Sequence, residues 1–115
     1  MSAARYNLII DQGTDFALEF IVKESGTAKN LSSGFSARAQ IRPTKDHVGT
    51  PTKAFTCLIQ DGNVTGKITA KLSNADTSST NFAAGRYYYD LELVDSGIVT
   101  RLLEGTVTVT QEVTR

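Results

Sequence analysis

The strongest structural signal in this sequence comes from two stretches, Gly85–Val94, GRYYYDLELV, and Ile98–Val109, IVTRLLEGTVTV. In both stretches apolar side chains alternate with polar ones, which is the period of a β-strand with one buried face. The residues between them, Asp95-Ser96-Gly97, predict a three-residue loop in which Gly97 takes the left-handed conformation. We therefore expect a β-hairpin near the C-terminus.

The pairing within this hairpin is open at the sequence level. A three-residue loop places Tyr89 opposite Leu103 and Leu91 opposite Arg101, so one charged side chain enters an apolar row. A register with a loop one residue longer removes this conflict but introduces other unfavourable pairs. Alternation is expected to bury Tyr87 and Tyr89.

A structural role is predicted for Tyr87, which enters a late strand directly after a turn in Gly85-Arg86-Tyr87. This is the position of the tyrosine corner of β-sandwich domains, whose hydroxyl bonds to backbone near the preceding connection.

The remaining chain also reads as β-structure. Five further strands are predicted at residues 5–10, 15–23, 36–42, 54–59 and 67–72. Ser73, with Asp76 three residues on, predicts one short helical turn, and the segment 43–52, with both prolines, predicts an exposed connection. The fold prediction is an all-β, immunoglobulin-like, two-sheet antiparallel β-sandwich of about seven strands, forming a single domain over residues 1–115.

Composition argues against several classes of function. Twelve basic residues balance twelve acidic ones, so the chain lacks the positive charge typical of nucleic-acid and polybasic membrane binders. The longest purely aliphatic or aromatic stretches have three residues, and no secretory signal precedes the first strand, which predicts synthesis in a cytoplasm. One cysteine and one histidine predict neither a disulfide nor a zinc site, and we expect no metal and no cofactor.

Two groups of residues have side chains of the type used in catalysis. Cys57 and His47 could form a nucleophile and base, but Cys57 lies in an apolar strand and His47 in the predicted loop. Asp90 and Glu92, two apart on one strand, have the spacing of an inverting glycosidase pair. Arginines on the same face favour ion pairs instead, so we assign no catalytic residue and predict that the chain is not an enzyme.

Candidate binding residues form two groups. The first is the possible partner-contact loop Lys45, Asp46, His47 and Val48, and the second is the exposed face Arg86, Tyr88, Asp90 and Glu92. The second group also suits a different class of function, a carbohydrate-binding module for host attachment.

Several motifs resemble one family in their order and spacing. They are Ile10-Asp11-Gln12-Gly13-Thr14-Asp15-Phe16, residues 31–42 (LSSGFSARAQIR), Leu72-Ser73-Asn74-Ala75-Asp76-Thr77, residues 84–93 (AGRYYYDLEL) and residues 101–109 (RLLEGTVTV). Together they are similar to small tailed-phage virion structural proteins and to the N-terminal immunoglobulin-like domain of phage baseplate upper proteins. An extra serine in Leu31-Ser32-Ser33-Gly34 departs from the pattern.

This resemblance implies a structural role in a tailed-phage virion. The expected function is a tail or baseplate adaptor, with a capsid or neck decoration protein as the alternative. It implies other phage structural proteins as partners, a symmetric homo-oligomer in the particle, and localisation in the virion after synthesis in the bacterial host. No catalytic residues follow from it.

Overall fold

Extended strands make up most of the computed structural model, which describes residues 3–24, 26–28, 31, 34–59 and 66–114. The described residues form eleven strands and no α-helix. The strands are β1 Ala4–Arg5, β2 Leu8–Asp11, β3 Phe16–Ile21, β4 Lys23–Glu24, β5 Thr27–Ala28, β6 Phe35–Arg42, β7 Lys53–Ala54, β8 Thr56–Ile59, β9 Lys67–Leu72, β10 Gly85–Asp95 and β11 Ile98–Thr110.

The larger sheet has six strands. Its order is β1-β11-β10-β6-β7, and β2 pairs with β11 further along the same edge. The β10 strand is antiparallel to both β11 and β6, whereas β1 and β2 run parallel to β11. The second sheet has the order β3-β9-β8, and β4 and β5 form a small separate pair.

This strand order is that of an immunoglobulin-like sandwich. The three-stranded sheet matches the B-E-D order, and β11-β10-β6 matches G-F-C, with β7 added beside C. The predicted all-β, two-sheet fold is confirmed. The larger number of strands arises because three predicted strands are each divided by irregular residues, and because β5 was not predicted.

The core lies between the two sheets. Ile10, Ile41 and Val107 from the larger sheet and Ile68 from the smaller one are all 0% exposed. Phe82, which is 1% exposed, lies in the connection before β10. Both sheets therefore bury their apolar rows in one shared interior, as strand alternation requires.

The predicted hairpin exists, but the three-residue loop and its pairing of Leu91 with Arg101 are wrong. Asp95 pairs with Ile98, so the turn has two residues, Ser96 and Gly97, with φ angles of 49° and 85°. Two consecutive left-handed residues are typical of a type I′ turn, whose twist matches that of the flanking strands.

A bulge in β11 removes the expected charge conflict. Leu91 pairs with Leu103 but Glu92 pairs with Arg101, so Leu102 is the extra residue. Leu102 and Leu103 are both buried, and Arg101 points to the outer face beside Glu92. The bulge lets an apolar row and a charged row coexist on one strand.

The tyrosine corner predicted for Tyr87 is confirmed. Its hydroxyl donates to the carbonyl oxygen of Ala83 at 2.7 Å, tying the start of β10 to the preceding connection. Of the three adjacent tyrosines only Tyr89 is buried, whereas Tyr87 and Tyr88 are half-buried. The ring of Tyr87 contacts Phe82, with 5.0 Å between ring centroids.

The predicted connections also form. Ser73 and Asp76 make the reciprocal bonds of a capping box, since the backbone N–H of each donates to the side chain of the other at 3.2 Å. Single turns follow without joining into a helix. The segment 43–52 is largely exposed. Both serines of Leu31-Ser32-Ser33-Gly34, one of which is the extra serine, lie outside the described residues. In the part of the chain that the structure describes, no helix is long and apolar enough to cross a membrane.

Candidate functional site

The outer face of the six-stranded sheet carries the polar side chains predicted from alternation. Register places them in rows across the strands: Tyr88 lies between Arg42 and Thr106, Asp90 between Gln40 and Glu104, and Glu92 between Arg38 and Arg101. We call the non-threonine members of these rows, Arg38, Gln40, Arg42, Tyr88, Asp90, Glu92, Arg101 and Glu104, the outer face. They converge because side chains of equal parity on paired strands share a side of the sheet.

The loop that follows β6, residues 43–52, lies beside the outer face, and contacts with Arg42 hold it there. The Arg42 guanidinium donates to the carbonyl of Gly49 at 2.8 Å and to Oε1 of Gln40 at 2.8 Å, and lies 3.2 Å from Nδ1 of His47. The Nζ of Lys45 lies 5.9 Å from the centroid of the Tyr88 ring, within cation–π range.

Loop and sheet together form a shallow depression of about 310 Å³. Its floor comes from β6, β10 and β11, and its wall comes from Thr44, Lys45 and His47. The two groups of candidate residues, separate in sequence, therefore contribute to one site through Lys45, His47, Tyr88, Asp90 and Glu92.

Three candidate residues lie outside the depression. Val48 is 85% exposed on the loop, and Asp46 accepts a hydrogen bond from the hydroxyl of Thr44 at 2.8 Å. Arg86 is exposed one row beyond Tyr88, paired with Thr108. These residues border the site and do not line it.

Ion pairs organise the carboxylates of the outer face. Glu92 accepts from Nε of Arg38 at 2.7 Å. Arg101 lies between two acids, with its Nε 3.4 Å from Asp90 and its Nη1 3.6 Å from Glu104. The side chains are partly exposed, so each pair contributes little stability and mainly fixes the positions of the charges.

Asp90 lies among charged groups that shift its pKa in both directions. Burial raises its pKa, Glu92 and Glu104 raise it further, and Arg101 and Arg38 oppose this effect. Like charges directly opposite on neighbouring strands, as in Asp90 and Glu104, are unfavourable. Arg101 relieves this repulsion by contacting both.

The structure places Cys57 and His47 apart, so they do not form a nucleophile and base. His47 lines the depression on the six-stranded sheet, whereas Cys57 lies half-buried on β8 of the other sheet. Burial raises the pKa of the Cys57 thiol, which favours the unreactive protonated form. Within the described ranges, no cluster of three or more His, Cys, Asp or Glu side chains could hold a metal ion.

Sequence reasoning did not select Gln40, Arg42, Arg101 and Glu104, although the structure places them in the floor of the depression. Alternation on the predicted strands marks Gln40, Arg42 and Glu104 as outward-facing, whereas Arg101 faces outward because of the bulge at Leu102. Selecting them required the order of the strands, which brings β6 and β11 to either side of β10.

The chain matches no protein-family model and no curated protein sequence. Among solved structures it is similar to the extracellular domain of the voltage-gated sodium channel beta4 subunit, described as a parallel homodimer with a role in cell–cell adhesion. The identity is 9%, 98% of each chain is covered, and the TM-score is 0.46. A structure from work on multimeric cell-adhesive interactions of these beta subunits is 11% identical, with 96% of each chain covered and a TM-score of 0.44.

Strand order, the tyrosine corner and the shared core define the class of this protein as an immunoglobulin-like β-sandwich domain. Its candidate site is a charged depression on one sheet face.

Proposed function

We propose that this chain is a non-enzymatic structural protein of a tailed-phage virion, a tail or baseplate adaptor that holds neighbouring virion proteins together. Other phage structural proteins are its partners, and it assembles into the particle after synthesis in the bacterial cytoplasm. A capsid or neck decoration role is the variant of this proposal.

The observation that carries the binding role is the depression on the outer face. It is open and shallow, and arginines, a tyrosine and their carboxylate partners line it. Tyrosine and arginine are enriched in protein interfaces, where a planar guanidinium or a phenol gives both apolar contact and hydrogen bonds. The face therefore suits a protein partner of mixed charge.

The contacts of the carboxylates favour binding over hydrolysis. An inverting glycosidase needs one carboxyl group as acid and the other as a base that activates water. Glu92 instead accepts a short hydrogen bond from Arg38, and Asp90 faces Arg101. Lys45 lies over the ring of Tyr88, where a sugar would stack, so the carbohydrate-binding alternative has less support than a protein contact.

The virion setting is supported by the sequence motifs rather than by the site. Residues 84–93 and 101–109, which carry part of the family resemblance, also supply β10 and β11 of the outer face. Part of the sequence that carries the resemblance therefore lies in the candidate contact surface.

The test is incorporation into particles. We expect mass spectrometry to detect the chain in purified virions, and a double variant, Lys45→Glu with Tyr88→Ala, to reduce its incorporation at least tenfold. Lys71→Glu, an exposed change of the same charge on the other sheet, is the matched control and should incorporate normally. Virions that lack the wild-type chain would refute the virion role, and equal incorporation of both variants would refute the site.

A particle reconstruction separates the two virion positions, since density at the baseplate or tail supports the adaptor and density on the capsid or neck supports decoration. Binding on a glycan array that Tyr88→Ala abolishes would instead support carbohydrate recognition.

A further inference from the structure

Strand β3 lies at the edge of the smaller sheet as the described residues form it. Among the described residues β9 is the one strand that pairs with β3 (Phe16–Ile21). Natural edge strands are commonly protected by proline, lysine or a bulge. Strand β3 reads Phe-Ala-Leu-Glu-Phe-Ile; it has one charged residue, Glu19, and no proline or lysine, so its edge has little protection against pairing with a further strand.

The inward row of β3 is incompletely covered. Phe16, Leu18 and Phe20 pack against the core but are only partly buried. Their partners across the ladder on β9, Leu72, Ala70 and Ile68, are 2%, 2% and 0% exposed. The sandwich thus leaves an apolar strip along the β3 edge.

Backbone direction makes the free edge suited to pairing. The N–H of Val22 donates to the carbonyl of Gly66 on the β9 side at 2.8 Å. Since hydrogen-bonding direction alternates along an antiparallel strand, the N–H and C=O groups of Ala17, Glu19 and Ile21 point away from β9. These groups are those that an added strand would bond.

The strand is complementary to itself. Its inward residues read Phe, Leu, Phe in either direction. With Leu18 of two antiparallel copies on a two-fold axis, Phe16 faces the partner's Phe20, and Ala17 faces the partner's Glu19. This register aligns the free backbone groups and sets no like charges opposite each other. A shift of two residues would place Glu19 opposite either the partner's Glu19 or the partner's Asp15.

We propose that two copies of this chain associate through their β3 edges about this two-fold axis, so that the two small sheets become one continuous six-stranded sheet. The contact buries the apolar strip of both copies, and Glu19 keeps its ion pair with Lys67 at 2.8 Å on the outer side. The inference rests on the proposed assembly role and adds the surface used for self-association.

Substitutions of opposite charge at Ala17 provide the test. This exposed side chain lies opposite the partner's Glu19, and the two-fold axis gives two such contacts in each dimer. Sedimentation of the wild-type chain up to about 1 mM should show a monomer–dimer equilibrium. Ala17→Glu should weaken the dimer by about two- to thirtyfold, and the matched variant Ala17→Lys should retain or strengthen it. A monomeric wild type, or equal behaviour of the two variants, overturns the proposal.

Disulfide trapping checks the register. In a Cys57→Ser background, Ala17→Cys mixed with Glu19→Cys should give an oxidised dimer, because directly paired Cα atoms lie at bridging distance. Neither variant alone should cross-link. Cross-linking by one variant alone, or none in the mixture, overturns this register.

The outcomes separate the two proposals. Particle incorporation that depends on Lys45 and Tyr88 while the purified chain stays monomeric retains the adaptor role and removes the β3 dimer. If the chain is absent from virions but forms dimers that Ala17→Glu weakens, the β3 dimer is retained and the adaptor role is removed.

Discussion

At the scale of single residues, Gly105 and Tyr89 join the edge strand to the hairpin. Tyr89 lies opposite Gly105, and its hydroxyl donates to the carbonyl of Tyr6 at 2.6 Å. Burial, with Tyr6 nearby, raises the pKa of Tyr89 well above its ordinary value, so the hydroxyl keeps the proton it donates. Beside this contact the side chain of Asn7 accepts from the N–H of Thr106 at 3.1 Å.

This network explains why the predicted first strand, residues 5–10, divides into β1 and β2. The backbone of Tyr6 passes close to Gly105, and a Cβ at residue 105 would overlap the carbonyl oxygen of Tyr6. Alternation indicated that Tyr89 is inward, but nothing local in the sequence indicated that Gly105 leaves room for residue 6.

We predict that Gly105→Ala destabilises the fold by about 1–3 kcal/mol, because the new methyl group must displace backbone rather than a flexible side chain. Denaturant unfolding monitored by circular dichroism measures this change. Thr108→Ala, at an exposed position of the same strand, should stay within about 0.5 kcal/mol of the wild type. Equal stabilities for the two variants would contradict the close approach.

At the scale of elements, the hairpin of β10 and β11 was predictable, whereas its register was not. Alternation along both strands predicted the pair, and Gly97 indicated the turn. The bulge at Leu102 could not be anticipated because it resolves a conflict between the two faces of β11, with Arg101 outside and Leu103 inside. A bulge depends on what packs on both faces of the sheet.

The turn carries a second prediction. Ser96 holds a left-handed φ of 49°, which costs most residues other than glycine and asparagine about 1–2 kcal/mol. Ser96→Asn should therefore stabilise the protein by up to about 1 kcal/mol, seen as a higher denaturation midpoint.

Gly97→Ala is the opposing control for the turn. No atom lies within 4 Å of the added Cβ, so its expected loss of about 1–2 kcal/mol is purely conformational. A stabilising Gly97→Ala, or a destabilising Ser96→Asn, would contradict a type I′ turn.

At the scale of the whole molecule, one core couples the two sheets. Ile68 on β9 and Val107 on β11 are both fully buried, although they belong to different sheets. No sequence period distinguishes a strand of one sheet from a strand of the other, so the assignment of strands to sheets came from the structure.

We expect a single cooperative unfolding transition. Ile68→Ala should cost about 2–5 kcal/mol, and Val107→Ala should also lower the same midpoint, because each leaves a cavity in the shared core. Coincident far-ultraviolet circular dichroism and tyrosine fluorescence curves measure this. Two separate transitions, or one sheet insensitive to its own substitution, would contradict the coupling.

The all-β class, the hairpin, the tyrosine corner at Tyr87 and the capping box at Ser73 were predictable from the sequence, because each depends on residues close together in the chain. The bulge at Leu102 and the contact of Lys45 with Tyr88 over one depression became visible in the folded structure. So did the partly covered strip on β3. These features depend on which strands become neighbours and how completely two sheets cover each other, and many distant contacts set both together.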